Sequence, residues 1–407
     1  MQYQLFDLYR QSLTPLTATL DLVHDLVTDD KYPLAKTRYG RLRKAVLEST
    51  TRILKHYPKQ GFEYEPVIID DEEYPVSETV VVEKPFCNLL RFRREDLPED
   101  APKLLCVAAL SGHHATLARE TFRELLPDYE VYVTDWLDAR DVPLSEGKFG
   151  YEEYVGYLVD FMNHMGPNNH VFAICQAAVP AITAVCHMSK EQDVCRPKTL
   201  TMMAGPIDIR VNPNAFTKQI YKLSAKALER IAIHKVPRRY EGAGRSVYPG
   251  NMQLGGFMSM NMKSHMEKHI QFFKDIVQGN ADDADKHRDF YDEYMAVLDM
   301  DADFYMETMD RIFLDQHLPK GIMQYQGKTV SCSDITDVAI LTLEGEQDDM
   351  ISLGQTEAAL HLCDKLPRKL KKHYVQKGVG HYGIFNGSKY RKGVAPKIKS
   401  WINKHHE

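Results

Sequence analysis

The chain has no long hydrophobic run. None of its apolar stretches approaches the roughly 20 residues that a membrane-spanning helix needs. It also has no excess of one charge. Lys and Arg number 51 against 57 Asp and Glu, a formal net charge of -6 with pI near 6.3. That balance removes the electrostatic reason to expect nucleic-acid binding, and the basic stretch from Lys365 to His373 reads as a solvated rim. Cysteine is sparse: Cys87, Cys106, Cys175, Cys186, Cys195, Cys332 and Cys363 form no CxxC pair. Neither a disulfide framework nor a zinc site is suggested, and a reducing compartment suits such thiols. The opening Met1–Arg10 lacks a basic segment followed by an unbroken apolar one, with Asp7 and Arg10 interrupting, so it does not read as a signal peptide and the cytoplasm is the expected location.

Other familiar signals are missing too. Gly327-Lys328-Thr329 looks like the end of a phosphate loop, but Gly321 lies one residue too far upstream and the triplet precedes a strand. His265 and His269 are helically spaced, yet the glutamate is at 267, which is not the zinc-protease order. Asp282, Asp283 and Asp285 lack the glycine and terminal glutamate of a calcium loop. No metal is expected.

What remains is the composition of an ordinary soluble domain: 43% hydrophobic, 27% charged, mean hydropathy -0.40. At 407 residues it suits one large domain with an insertion, or two domains. Residues 1–75 read as an N-terminal helical segment, with helical spacing running to about 58. Strands follow at 76–94, and from Leu104 strand and helix alternate: a continuous apolar run Leu104–Leu110, a helix Ala115–Leu126, a strand from Tyr129, a helix Tyr151–His164, a strand His170–Ile174, a helix Ala177–Met188 and a strand from Lys198. Residues 206–327 break the pattern, helical and loop-like with no convincing buried strand, and residues 328–407 resume it at Val338 and Lys372. The expected fold class is α/β, a doubly wound, mainly parallel sheet, with a core at 76–205 and 328–407 interrupted by a lid or cap at 206–327.

The most informative stretch is Val171-Phe-Ala-Ile-Cys175-Gln-Ala-Ala-Val-Pro180. An apolar strand stops at a cysteine flanked at two-residue spacing by Ala173 and Ala177. This is the pattern of a nucleophile elbow, where backbones crowd and only small side chains fit. It would place the Cys175 sulfur at a helix N-terminus, where the macrodipole favours thiolate. The α/β-hydrolase arrangement then requires an acid after a late strand and a histidine after the last, in that order. Leu343-Glu-Gly-Glu-Gln-Asp348-Asp349 and Gly378-Val-Gly-His381-Tyr-Gly meet both requirements. Cys175 is read as the nucleophile, His381 as the base and Asp348 as the acid, with Asp349 its rival. Backbone N–H groups of Gln176 and of the Gly112-His113 region, in the turn Leu110-Ser-Gly-His-His114, are the candidate oxyanion donors. In the insertion, Met252, Phe257, Met258 and Met260 form a Met-rich segment, either lid core or an adaptable surface that meets an apolar substrate.

With these residues placed, the sequence resembles the intracellular poly(3-hydroxyalkanoate) depolymerases over nearly its whole length. The resemblance runs through the opening Met1–Arg10, Leu110-Ser-Gly-His-His, Val133-Thr-Asp-Trp136-Leu-Asp-Ala-Arg, Ala173-Ile-Cys-Gln, Met203-Ala-Gly-Pro-Ile-Asp, Glu344-Gly-Glu and Gly380-His-Tyr-Gly. It implies a cysteine nucleophile at Cys175, with Asp348 and His381 completing the triad. It further implies hydrolysis of amorphous poly(3-hydroxybutyrate) to 3-hydroxybutyrate and oligomers, at the surface of cytoplasmic granules. No cofactor is expected, although a thioester intermediate makes coenzyme A a conceivable alternative acyl acceptor to water. No nucleic-acid partner and no membrane span are expected; a homodimer is the assembly considered. The competing functions are a polyhydroxyalkanoate synthase, whose elbow normally carries glycines in place of these alanines, a non-catalytic granule protein, and an esterase for small molecules.

Overall fold

The structure, a computed structural model, describes residues 2–28, 34–220 and 224–406. Its centre is a sheet of eight strands: β1 (Val76–Lys84), β2 (Cys87–Arg94), β3 (Lys103–Val107), β4 (Glu130–Trp136), β5 (Asn169–Ile174), β6 (Thr199–Met203), β7 (Ala339–Gly345) and β8 (Lys371–Gln376). Their order across the sheet is β1-β2-β4-β3-β5-β6-β7-β8. Only β2 runs antiparallel to its neighbours; the pairs from β4 to β8 are parallel. That order, with its one reversed strand and its crossover at β3–β4, is the α/β-hydrolase sheet.

Among the described residues, eight longer helices flank or cap it: α1 (Gln2–Thr28), α2 (Arg38–Leu54), α3 (Tyr151–Met165), α4 (Ala178–Lys190), α5 (Gly250–Met260), α6 (Met262–Gln278), α7 (Ala281–Met295) and α8 (Ala395–His406). Strands covered on both faces are largely apolar, because neither side meets water, and the polar groups they carry need partners. Every residue of β4, β5, β6 and β7 is buried, whereas the edge strands β1 and β8 are half-buried to exposed. One continuous core runs through the sheet and its helices. Fully buried side chains such as Phe172, Leu200 and Ile340 each contribute about 1.5–3 kcal/mol. Among the described residues, no helix is long and apolar enough to cross a membrane.

The chain between β6 and β7 lies over the sheet and carries α5, α6 and α7. Leu254, Tyr291 and Tyr294 form a small core of their own, against which Leu117, Phe257, Met258 and Tyr382 pack. The N-terminal helices join this cap. α1 packs on α2, and α2 on α6. The Tyr3 hydroxyl donates to buried Asp299, whose other oxygen accepts from the N–H of Gly250 at the start of α5, 2.8 Å away. The N–H of Asp299 donates in turn to Asp138 at 3.1 Å, fixing the insertion to the loop after β4.

Three local expectations are corrected. Ala115–Leu126 is not one helix: a 3-10 turn, Ala115–Ala118, gives way to a short helix, Arg119–Arg123, and residues 124–128 continue as turn. The insertion is not free of strands: Ser246–Tyr248 pairs with both His234–Lys235 and Met300–Asp301, and Gln324–Tyr325 pairs with Lys328–Thr329. The segment 1–75 is not wholly helical, since Val67–Ile69 and Glu72–Tyr74 form a hairpin. Strands of two or three residues are too short to carry an alternation, and pairing partners, not local pattern, create them.

Candidate active site

β5 ends at Ile174 and the chain turns at once into a one-turn 3-10 helix, Cys175–Ala177, that continues into α4. Cys175 makes that turn with φ +54°, a left-handed conformation rare for a residue with a Cβ. Backbone strain of this kind persists only where the surroundings impose it. They do so here. Ala173 and Ala177 are fully buried, and the next strand end comes so close that a Cβ on Gly205 would sit 2.3 Å from the Cβ of Ala178 and 3.3 Å from the Cys175 carbonyl oxygen. Larger side chains at these positions would push the turn apart.

His381 follows β8 and is buried. Its Nδ1 lies 2.8 Å from Asp348 Oδ2, and it shares a cavity lining with Cys175, near enough for the two side chains to act on each other electrostatically. The structure therefore brings Cys175, His381 and Asp348 together in one site. Burial opposes a charge on the ring, but Asp348 and then Cys175 outweigh it, raising the His381 pKa well above its ordinary value of 6.5. The other oxygen of Asp348 accepts from the N–H groups of Met350 and Ile351 at 2.9 and 2.8 Å, which fixes the carboxylate. Asp349 does not reach the ring; its Oδ2 accepts from Asn261 at 2.6 Å.

Two supports were not foreseen from the sequence. Glu344, at the end of β7, is buried and accepts from the N–H groups of Gly354, Thr356 and Glu357, holding the loop that carries Asp348. After β3, the Ala108 N–H donates to Thr134 Oγ1 at 3.0 Å and its carbonyl accepts from Trp136 Nε1 at 2.9 Å, which anchors the turn leading to Gly112 and His113. A run of Thr-Asp-Trp closing a strand was the available signal, and its partners lay on a different strand.

Gly112 has φ +95°, and a Cβ there would meet Gln253 Oε1 at 2.6 Å. Its carbonyl accepts from the Leu298 N–H, and His113 forms a bridge with Val297. A cavity of about 400 Å³ opens over the elbow, lined by Cys175, Gln176, His113 and His381 and walled by apolar side chains of the insertion. Phe257 and Met260 line it; Met252 and Met258 are half-buried instead, with Met258 packed into the cap core. His113 is stacked with Phe257 and close to Tyr294, and burial lowers its pKa to about 4. Burial likewise lowers His114 to about 3. Both rings are thus neutral at neutral pH.

The motifs set aside in the sequence have structural partners elsewhere. His265 is buried with Nδ1 2.9 Å from the Tyr291 hydroxyl, and Asp282, Asp283 and Asp285 are exposed on α7. Among the described residues, the one group of metal-ligand type is Asp310, Asp315 and His317, none of which lines the cavity.

Residues 204–406 match the family model described as "PHB de-polymerase C-terminus". No protein of curated function matches the chain in sequence. Among solved structures, naproxen esterase (carboxylesterase NP) from Bacillus subtilis is 14% identical with TM-score 0.45, over 90% of this chain and 99% of that one. A monoacylglycerol lipase from Paleococcus ferrophilus is 13% identical with TM-score 0.47, over 78% and 99% respectively. Likenesses at this level say nothing about substrate. The family match extends from the end of β6 through the whole insertion, the acid loop and the histidine loop to α8. Through that matched C-terminal half, the chain belongs to the PHB depolymerase family, carboxylic ester hydrolases built here on an α/β-hydrolase sheet.

Proposed function

We propose that this protein hydrolyses the ester bonds of amorphous poly(3-hydroxybutyrate) through a Cys175–His381–Asp348 triad, releasing 3-hydroxybutyrate and short oligomers. The observation that carries the reading is His381, paired with Asp348 in the loops that the depolymerase family model matches, facing a cysteine on a strained elbow that precedes the matched region. Cys175 Sγ, having given its proton to His381, attacks the ester carbonyl. The tetrahedral oxyanion is met by the N–H of Gln176 and by a donor from the Gly112-His113 turn. The C–O bond breaks, and the leaving alkoxide takes its proton from His381. Neutral His381 then removes a proton from water, which attacks the thioester carbonyl; the acid product leaves and Cys175 is restored. Asp348 keeps the ring in one tautomer and stabilises its cationic form.

Association with the cytoplasmic granule surface is part of the same reading. Leu5, Leu8, Leu22 and Leu26 of α1 and Met262, Met266 and Ile270 of α6 are exposed, an apolar exterior suited to a polyester surface. The decisive measurement is release of soluble 3-hydroxybutyrate from amorphous polymer granules by wild type and by Cys175→Ala. Release by the wild type alone supports both reaction and nucleophile. Release by both moves the nucleophile elsewhere, and release by neither removes the substrate assignment.

A further inference from the structure

The cavity over Cys175 is apolar along most of its wall, yet its lining holds a carboxamide with neither end partnered. Gln176 is 7% exposed, and both its Oε1 and its Nε2 are buried without a hydrogen bond. Leaving a buried donor or acceptor unmade costs about 1–3 kcal/mol, and here both ends of one carboxamide are left so. His113, in the same lining, has an unpartnered Nε2 as well. His114 Nδ1 and Thr308 Oγ1 in the lining are also unpartnered, whereas the groups that hold the loops are matched: Asp348 and Glu344 have their acceptors filled, and Gln253 donates to the Tyr248 carbonyl at 2.8 Å. The unmatched groups therefore mark a place where a ligand carrying oxygen would complete the site.

We propose that the Gln176 carboxamide is a specificity-determining group that hydrogen-bonds the oxygen on C3 of the acyl group bound at Cys175. This rests on the depolymerase reading above and deepens it. A hydroxybutyryl unit has a four-carbon apolar chain with one oxygen on C3, either the ester oxygen of the next unit or a terminal hydroxyl. The carboxamide can serve both, since Nε2 donates to an ester oxygen and Oε1 accepts from a hydroxyl. A plain butyryl chain fills the same space and leaves the carboxamide dry and unpaired. Sites that hydrogen-bond a substrate oxygen discriminate strongly against the analogue lacking it, for that reason. The role belongs to the side chain and is separate from the backbone N–H of the same residue.

The test compares kcat/KM for a 3-hydroxybutyryl ester and for the matching butyryl ester, each with the same nitrophenol leaving group, in wild type and Gln176→Met. Methionine keeps the length of the side chain and the backbone N–H, and removes the amide. The wild type is expected to prefer the hydroxyacyl ester, and the variant to lose at least roughly tenfold of that ratio. If Gln176→Met does not fold, Gln176→Asn, which withdraws the amide by one methylene, is held to the same criterion. A second readout avoids the chemistry: in a Cys175→Ala background, Kd for the soluble 3-hydroxybutyrate trimer should rise about tenfold on Gln176→Met. Both ester rates falling equally, with the ratio and the trimer affinity unmoved, would overturn the role of Gln176 while leaving the depolymerase reading intact. A wild type inactive on the polymer and on both esters would overturn that reading, and this inference with it.

Discussion

At the scale of the residue, His381 is the group whose state the site controls most tightly. It is buried, which alone would lower its pKa, and is nevertheless held protonated above its ordinary range by Asp348 and Cys175. The ring therefore carries its proton through neutral pH and loses it only as pH rises through the raised pKa. Asp348→Asn removes the larger of the two opposing influences and leaves burial in place. The alkaline limb of the kcat/KM profile is expected to move to lower pH, and kcat to fall by roughly a thousandfold or more, as for triads whose acid is neutralised. An unshifted alkaline limb would mean that Asp348 does not govern the ring. These three residues were legible in the sequence because each follows a strand at a position the fold reserves for it. The partner of His381 was less so: Asp348 and Asp349 are adjacent, and only the loop geometry directs one to the ring and the other to Asn261. The Gln176 side chain was not legible, since nothing in a sequence says whether an amide has found a partner.

At the scale of the element, the elbow depends on close approach between α4 and the end of β6. Gly205 follows Ala204, whose φ is +50°, and its missing side chain is what lets Ala178 pack against it. Gly205→Ala would place a Cβ where the Ala178 Cβ already is, at 2.3 Å. The expected cost is about 1–3 kcal/mol, read as a lower Tm, together with a larger loss of activity because the turn that lifts Cys175 must shift. A variant with both Tm and kcat unchanged would show that the elbow tolerates a wider gap. The strands on either side were readable because a sheet covered on both faces demands continuous apolar runs, as in β3 and β5. The turn after β3 was misread as a longer helix for the converse reason. The periodicity of Ala115–Leu126 is helical, but the segment is divided into a 3-10 turn and a short helix where His114, Ala115 and Ala118 line the cavity.

At the scale of the whole molecule, the sequence order of the strands was readable and their order in the sheet was not, because nothing local announces that β4 lies beyond β3 next to β2. The same holds for the N-terminus. Tyr3 bonds Asp299 and Asp7 bonds Arg239 and Tyr240, partners more than 230 residues away that no local pattern indicates, so α1 is tied to the chain that caps the cavity. With those ties made on one side, Leu5, Leu8, Leu22 and Leu26 of α1 remain 59%, 59%, 61% and 64% exposed. A water-soluble chain gains nothing by presenting four leucines on one helix, whereas a chain that works on a water-insoluble polyester gains contact area. Each leucine transferred from water to an apolar surface contributes on the order of 1 kcal/mol. Replacing all four with Gln, a good helix former, should leave α1 in place, which an unchanged Tm would verify. Affinity for amorphous poly(3-hydroxybutyrate) granules, read by co-sedimentation, is then expected to fall by roughly a thousandfold. 3-Hydroxybutyrate release from granules should fall relative to cleavage of a soluble ester by the same preparation. If that ratio and the pelleted fraction stay where the wild type puts them, the granule is engaged by another face, and the exposed leucines of α1 have no part in it.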